Sequence, residues 1–154
     1  MLFRSGAVSK IQTIGVDHYP AMLEMADLPL RPEQHVDGQS YAAALKGEDY
    51  QRKAMFWYSH TARPSSTGDT RGLAYTEGNY KVIEWFDEQT IELYDLEADK
   101  AEKNDLSSQM PEKTKELHDK ALAMEKRIGN YRKQGLRSTQ KRLEREGNPK
   151  KKKK

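Results

Sequence analysis

Residues 73–96 read LAYTEGNYKVIEWFDEQTIELYDL, and this stretch decides the fold. Three runs within it are rich in aromatic and β-branched residues, which is typical of β-strands. They occupy positions 73–76, 80–86 and 90–96. The connections 77–79 and 87–89 are short enough to join antiparallel neighbours. The pattern predicts a meander, and a similar run at 54–60 predicts a further strand.

The periodicity becomes helical after Pro111. Apolar or small side chains then recur alternately three and four residues apart, at Thr114, Leu117, Ala121, Met124 and Ile128. Such a stripe predicts a helix of four or more turns that covers one face of a sheet. We therefore expect an α+β fold in which a small antiparallel sheet of about four strands packs against a long C-terminal helix.

The N-terminal part predicts two short helices. The first has Asp17 as a possible N-cap, and Pro29 ends it. Its predicted apolar stripe consists of Tyr19, Met22, Leu23 and Ala26. The second spans residues 39–45 and ends at Gly47, the predicted C-cap.

Composition limits the alternatives. The 154 residues suit one domain, and the absence of cysteine excludes disulfides, thiolate metal sites and cysteine nucleophiles. No apolar run is long enough to span a membrane or to form a signal peptide, so we expect a soluble, untargeted chain. Positions 132–154 hold 11 Lys and Arg against two Glu, which predicts a basic, disordered tail.

Several short motifs follow one another in a specific order. Residues 13–28, TIGVDHYPAMLEMADL, place an Asp, an aromatic residue and Pro at a helix start. The later motifs are DGQS (37–40), LKG (45–47), MFW (55–57), GNYKVI (78–83) and ELYDL (92–96), continued by Asp99, Glu102 and NDL (104–106). In this order they resemble the arylsulfatase-type, formylglycine-dependent sulfatases, over roughly residues 7–131.

The resemblance implies a C-terminal portion of such an enzyme. Residues 1–50 would be the end of its alkaline-phosphatase-like α/β domain, and residues 51–131 its C-terminal subdomain. The parent enzyme would hydrolyse sulfate esters of carbohydrates or aryl groups, with calcium and formylglycine as cofactors. Full-length relatives are often periplasmic or secreted, but these residues leave the compartment of this chain undetermined.

The motif that generates formylglycine, C/S-x-P/A-x-R, has no match in the sequence. Residues 59–63, SHTAR, have Ser and Arg at its spacing but Thr where Pro or Ala is required, and they follow the DGQS element, which is the wrong order for the family. We therefore expect no catalytic residue here and no sulfate hydrolysis by this chain alone.

The resemblance suggests two substrate-binding residues, His60 and Arg63. An imidazolium can donate a hydrogen bond to a sulfate oxygen or leaving group, and a loop Arg can pair with an anion. A surface histidine at a strand end and a solvated Arg are the alternatives. Asp95, Asp99 and Glu102 could bind calcium, but we expect their carboxylates to accept backbone N–H bonds in a turn and predict no metal site.

Two other functions stay open. The chain could be a non-enzymatic binding module that uses the loop 61–72 as its contact surface. It could also bind an anionic surface or nucleic acid through its lysine tail, with a steep salt dependence. The family resemblance favours a sulfated carbohydrate or aryl sulfate as the partner, with no nucleic acid and no membrane.

Overall fold

The computed structural model describes residues 8–62 and 70–146. They divide into two compact units, with the boundary after Lys53. No helix in these described ranges is both long and apolar enough to cross a membrane.

The first unit contains a short 3-10 turn, Gly15–Asp17, and the helices α1 (His18–Met25) and α2 (Ala42–Leu45). Asp17 is fully buried and its carboxylate does not cap α1. The carboxylate accepts the backbone N–H groups of Ile14 (3.0 Å) and Gln39 (2.9 Å) and pairs with Arg52 at 3.1 Å. A buried carboxylate with these partners is compensated, so it fixes the loop around it.

The predicted apolar stripe of α1 is wrong. The helix buries Pro20 and Ala21, whereas Tyr19 is 40% and Met22 61% exposed. The reason is the close approach of the DGQS loop, because a Cβ on Gly38 would collide with the carbonyl of Val16 and touch the Pro20 ring. Helix α2 is shorter than the predicted 39–45 and its C-cap is Lys46; the predicted Gly47 follows the cap with a φ of +81°, the left-handed conformation that favours glycine there.

The second unit contains a four-stranded antiparallel sheet in the order β1-β2-β3-β4. The strands are β1 (Met55–Ser59), β2 (Gly72–Glu77), β3 (Tyr80–Trp85) and β4 (Thr90–Asp95). In register, Phe56 pairs with Tyr75, Tyr75 with Val82, and Val82 with Leu93, so these four side chains lie on one face. The predicted meander is confirmed.

The connection from the last strand to the next helix starts at the end of the ELYDL motif. Asp95 accepts the N–H of Glu97 at 2.9 Å, and Asp99 accepts those of Lys103 and Asn104, both at 2.7 Å. The prediction that these two carboxylates stabilise a turn is confirmed. These hydrogen bonds, that from Asn104 foremost, lower the pKa of Asp99.

Helix α3 (Pro111–Ile128) covers the face of the sheet that carries Tyr75, Val82 and Leu93, as predicted. Leu117 and Ala121 are fully buried against it, and Thr114 is buried one turn earlier. The end of the predicted stripe differs, because Ile128 is 39% exposed whereas Glu125, an acidic residue, is buried. The core is completed on the sheet side by Leu73, Tyr75, Val82 and Leu93.

The predicted disorder of residues 132–154 is wrong for the part that the structure describes. Residues Arg132–Glu146 form a further helix, α4. Its sequence lacks an apolar stripe because it packs through Gly135 and Thr139, small residues one turn apart that are both buried. A contact through glycine and a hydroxyl leaves no hydrophobic periodicity to detect.

Arg132, at the start of α4, joins three elements. Its guanidinium donates to both oxygens of Glu84 on β3 (2.5 and 2.9 Å) and to both oxygens of Glu125 on α3 (2.6 Å each). The ring of Phe86 lies 4.1 Å from its central carbon, which adds a cation–π contact. His118 donates to Glu84 at 2.8 Å. We call these four polar residues, Glu84, His118, Glu125 and Arg132, the arginine cluster.

The arginine cluster shifts the titration of its members. Burial would raise the pKa of Glu84, but the hydrogen bonds from His118 and Arg132 outweigh it and lower that pKa to about 2. The hydrogen bond to Glu125 is the main cause that raises the pKa of Arg132 above its ordinary value, and together with the bond to Glu84 it outweighs burial, which lowers that pKa. Glu84 and Arg132 are therefore both charged at neutral pH.

We expect Leu117→Ala to lower the free energy of unfolding by about 2–5 kcal/mol, because it removes a fully buried side chain and leaves a cavity against the sheet. Leu122→Ala is the matched control on the same helix, where the side chain is 36% exposed and the loss should stay near 0.5 kcal/mol. Urea denaturation measures both. Equal losses would contradict the packing described here.

We expect Glu84→Gln to remove part of the acid dependence of stability. Because the folded-state pKa of Glu84 is about 2 and its ordinary value is 4.5, its contribution is present above pH 4.5 and is lost as the pH falls toward 2. Urea denaturation at pH 3 and pH 6 should show a smaller difference for the variant than for the parent. Glu88→Gln, at an exposed carboxylate, should leave the difference unchanged.

Candidate functional site

His60 lies directly after β1, and two aromatic rings fix its side chain. The Tyr58 ring is stacked on the imidazole at a centroid distance of 5.9 Å with planes 19° apart. The Tyr131 ring is tilted against it at 5.8 Å and 47°. The imidazole is only half-buried. It is thus held in one place with part of its surface open, which suits a residue that donates to a ligand.

Helix α4 holds the backbone at His60 and just after it. Gly135 packs so closely on His60 that a Cβ there would collide with the His60 carbonyl. Thr139 accepts the N–H of Ala62 at 3.1 Å, and Arg142 donates to the Ala62 carbonyl at 2.8 Å. Residues 60–62, which we call the rim segment, are therefore tied to α4 by one steric contact and two hydrogen bonds.

Tyr58 connects the rim segment to the arginine cluster. Its hydroxyl donates to Glu125 at 2.9 Å. Burial and this hydrogen bond raise the pKa of Tyr58 to about 12, so the phenol stays neutral. Sequence reasoning missed Glu125 and Arg132, because their partners are far away in the chain. The one available signal was an acidic residue on the inner face of an otherwise apolar stripe.

The other predicted binding residue, Arg63, lies outside the described residues, so the prediction that it joins His60 stays a prediction. The loop 61–72 of the binding-module alternative is described only at 61–62 and 70–72. Ser59, the serine of the near-match to the formylglycine motif, donates to the carbonyl of Thr61 at 3.1 Å. That hydroxyl closes a local turn.

The acidic residues considered for calcium do not fit a metal site. Asp95 and Asp99 accept backbone N–H groups as predicted, but the same prediction is wrong for Glu102, because both of its carboxylate oxygens accept from Lys81, at 2.8 and 2.9 Å. Across residues 8–62 and 70–146 no group of three or more histidine, aspartate or glutamate side chains could hold a metal ion. Calcium chemistry is therefore not assigned to the described residues.

The second face of the sheet carries a cleft that sequence reasoning missed. Its volume is 270 Å³, and Trp57, Trp85, Ala74, Ile83 and Lys81 contribute to its lining. The indole N–H of Trp85 donates to Glu92 at 2.8 Å, which sets the orientation of the ring. Two tryptophans beside small residues make an open apolar surface, on the face of the sheet opposite to α3.

Solved structures share this fold. A structure from Bacteroides thetaiotaomicron, described under the metabolism of multiple glycosaminoglycans, is similar with a TM-score of 0.55 and 25% identity over 71% of this chain and 24% of the other. A protein solved with its substrate D-glucosamine-2-N,6-O-disulfate gives a TM-score of 0.58 and 23% identity over 71% and 23%. A 2-O GAG sulfatase gives 0.52 and 23% over 79% and 26%.

The chain thus spans about a quarter of the length of these solved proteins. No curated protein matches it. The sequence model of the family described as N-sulphoglucosamine sulphohydrolase, C-terminal, matches residues 3–134, which include both helices of the first unit, the whole sheet and α3. The sulfatase resemblance of the motifs is confirmed, and this chain belongs to the N-sulphoglucosamine sulphohydrolase C-terminal family.

Proposed function

We propose that this chain is a substrate-binding part of a sulfatase and that it does not hydrolyse sulfate esters alone. The observation that carries the proposal is the family match over residues 3–134 in a sequence without a C/S-x-P/A-x-R motif. The nucleophile of these enzymes is made within that motif, so the chain contributes binding rather than bond cleavage.

The arrangement around His60 supports a role in recognising a sulfate group. The imidazole is oriented by Tyr58 and Tyr131, and its backbone is fixed by Gly135. A donor that is held in place before the ligand arrives loses little conformational entropy on binding. In its protonated form it supplies both charge and an N–H donor to a sulfate oxygen. Arg63, three residues later, is the proposed second cation.

The proposed ligand class is a sulfated carbohydrate. One solved protein with this fold is described in complex with its substrate, D-glucosamine-2-N,6-O-disulfate, and another in complex with the oligosaccharide k-i-k-neocarrahexaose. These ligands belong to those proteins, and they differ from each other in the sugar. We therefore extend to this chain only the shared chemistry, a sulfate ester on a sugar ring.

The first test is catalysis. The purified chain is expected to give no turnover of 4-methylumbelliferyl sulfate above background, with or without added calcium, because it lacks the formylglycine motif. Ser59→Ala serves as the control for the near-match at residues 59–63. Turnover by the parent chain that disappears in this variant would overturn the proposal.

The second test is binding of a small ligand. We expect glucosamine 6-sulfate to shift the NMR signals of His60 and its neighbours, and unsulfated glucosamine to have no such effect. His60→Ala should weaken the binding by about tenfold or more, the loss typical of one charge-assisted hydrogen bond. His18→Ala, in the first unit, is the matched control and should bind like the parent. Equal binding by the two variants would remove His60 from the site.

A further inference from the structure

The outer face of α4 carries a row of cations that the family match does not explain. Lys133, Arg137, Lys141 and Arg145 recur every four residues, and all are exposed. We call them the basic row. Successive members are about 6 Å apart along the helix axis and lie within one third of its circumference. Three of the four lie beyond residue 134, where the family match ends.

The basic residues on the two sides of α4 have different roles. Arg132 and Arg142 face inward, where one joins the arginine cluster and the other donates to the Ala62 carbonyl. Among the hydrogen bonds and ion pairs of the described residues, those made by basic side chains of α4 come from Arg132 and Arg142, and none comes from the basic row. Glu144 is the acidic side chain that the structure describes on this face. Four cations with so little compensation form a strongly positive surface.

The basic row has a fixed position relative to the candidate site. The inner face of α4 is tied to the rim segment by Gly135, Thr139 and Arg142. His60 and the basic row are therefore attached to opposite sides of one short helix, within one folded unit. A ligand long enough to pass around α4 can reach both, whereas a single sugar cannot.

We propose that the basic row is a secondary binding site for a sulfated polysaccharide chain, which holds sulfate groups on sugars other than the one at His60. The spacing along the helix is close to the length of one sugar unit, so successive cations can meet successive anionic groups. The two Arg side chains can bind a sulfate through paired N–H donors, and the two Lys side chains add charge without fixed geometry. This inference rests on the proposed function.

The surface chemistry favours a polysaccharide over a nucleic acid. Stacking on aromatic side chains is a main source of affinity for single-stranded nucleic acid. Helix α4, Arg132–Glu146, contains no aromatic residue. The basic row offers only point charges and guanidinium forks, which match the sulfate groups of a linear polysaccharide.

The test uses the full chain and heparin as the sulfated polysaccharide. Replacing all four members of the basic row by Gln is expected to weaken heparin binding by about tenfold or more and to reduce the slope of log Kd against log salt by about 3, since four ionic contacts are lost. The control variant replaces Lys100, Lys103, Lys126 and Arg127 by Gln. It has the same net charge and should retain most of the affinity. Circular dichroism checks that both variants fold.

Three results would overturn the proposal. The first is equal loss in the two variants, which would indicate a net-charge effect only. The second is parent-like affinity in the basic-row variant with complete loss when Lys150–Lys154 are replaced by Gln, which would assign binding to the lysine run. The third is displacement of heparin by a single-stranded oligonucleotide of equal charge as readily as by unlabelled heparin, which would indicate a general polyanion surface.

The outcome is separable from that of the proposed function. His60→Ala should bind heparin nearly as well as the parent, because the basic row is intact, yet it should lose glucosamine 6-sulfate. The basic-row variant should show the reverse pattern. Loss of both ligands in each variant would mean that His60 and the basic row form a single site, which would overturn the proposal of a secondary site.

Discussion

The guanidinium of Arg132 lies between two carboxylates that come from different elements, Glu84 on the sheet and Glu125 on the covering helix α3. Each carboxylate receives two hydrogen bonds from it, and His118 and Tyr58 supply further donors. A half-buried cluster of charges is stable only when every partner is present, because the removal of one leaves the other charges uncompensated. The position of α4 depends on this cluster, and the rim segment depends on α4.

The arginine cluster is also linked to His60, the candidate binding residue. Tyr58 stacks on the imidazole of His60 with its ring and donates to Glu125 with its hydroxyl. The orientation of the candidate binding residue is therefore coupled to the charges that hold the C-terminal helix. Polar networks of this kind specify one arrangement of elements, in contrast to hydrophobic contacts, which tolerate several.

The sequence predicted those parts of the fold whose contacts are periodic or local. The meander follows from alternation along 73–96, and the turn at Asp95 and Asp99 from carboxylates close in sequence to the N–H groups they accept. Helix α4 was not predicted because the residues through which it packs, Gly135 and Thr139, are not hydrophobic. The stripe of α1 was wrong because a tight loop, rather than a hydrophobic partner, covers its buried side.

The candidate site was predicted only in part. His60 was found through family resemblance, and its role stays a prediction, as does that of Arg63. Its surroundings could not be inferred, since Tyr58, Tyr131, Glu125 and Arg132 meet across separations in the chain that no short motif encodes. Long-range pairs of charged residues carry no periodic signal.

The position of α4 depends on the absence of a side chain at Gly135, where the backbone packs directly against the His60 carbonyl. Any larger side chain at that position would force α4 outward without changing one charge in the molecule. A bulkier residue at position 135 would therefore loosen the contact between the C-terminal helix and the rim segment, and it would pull Arg132 away from the two carboxylates that it compensates.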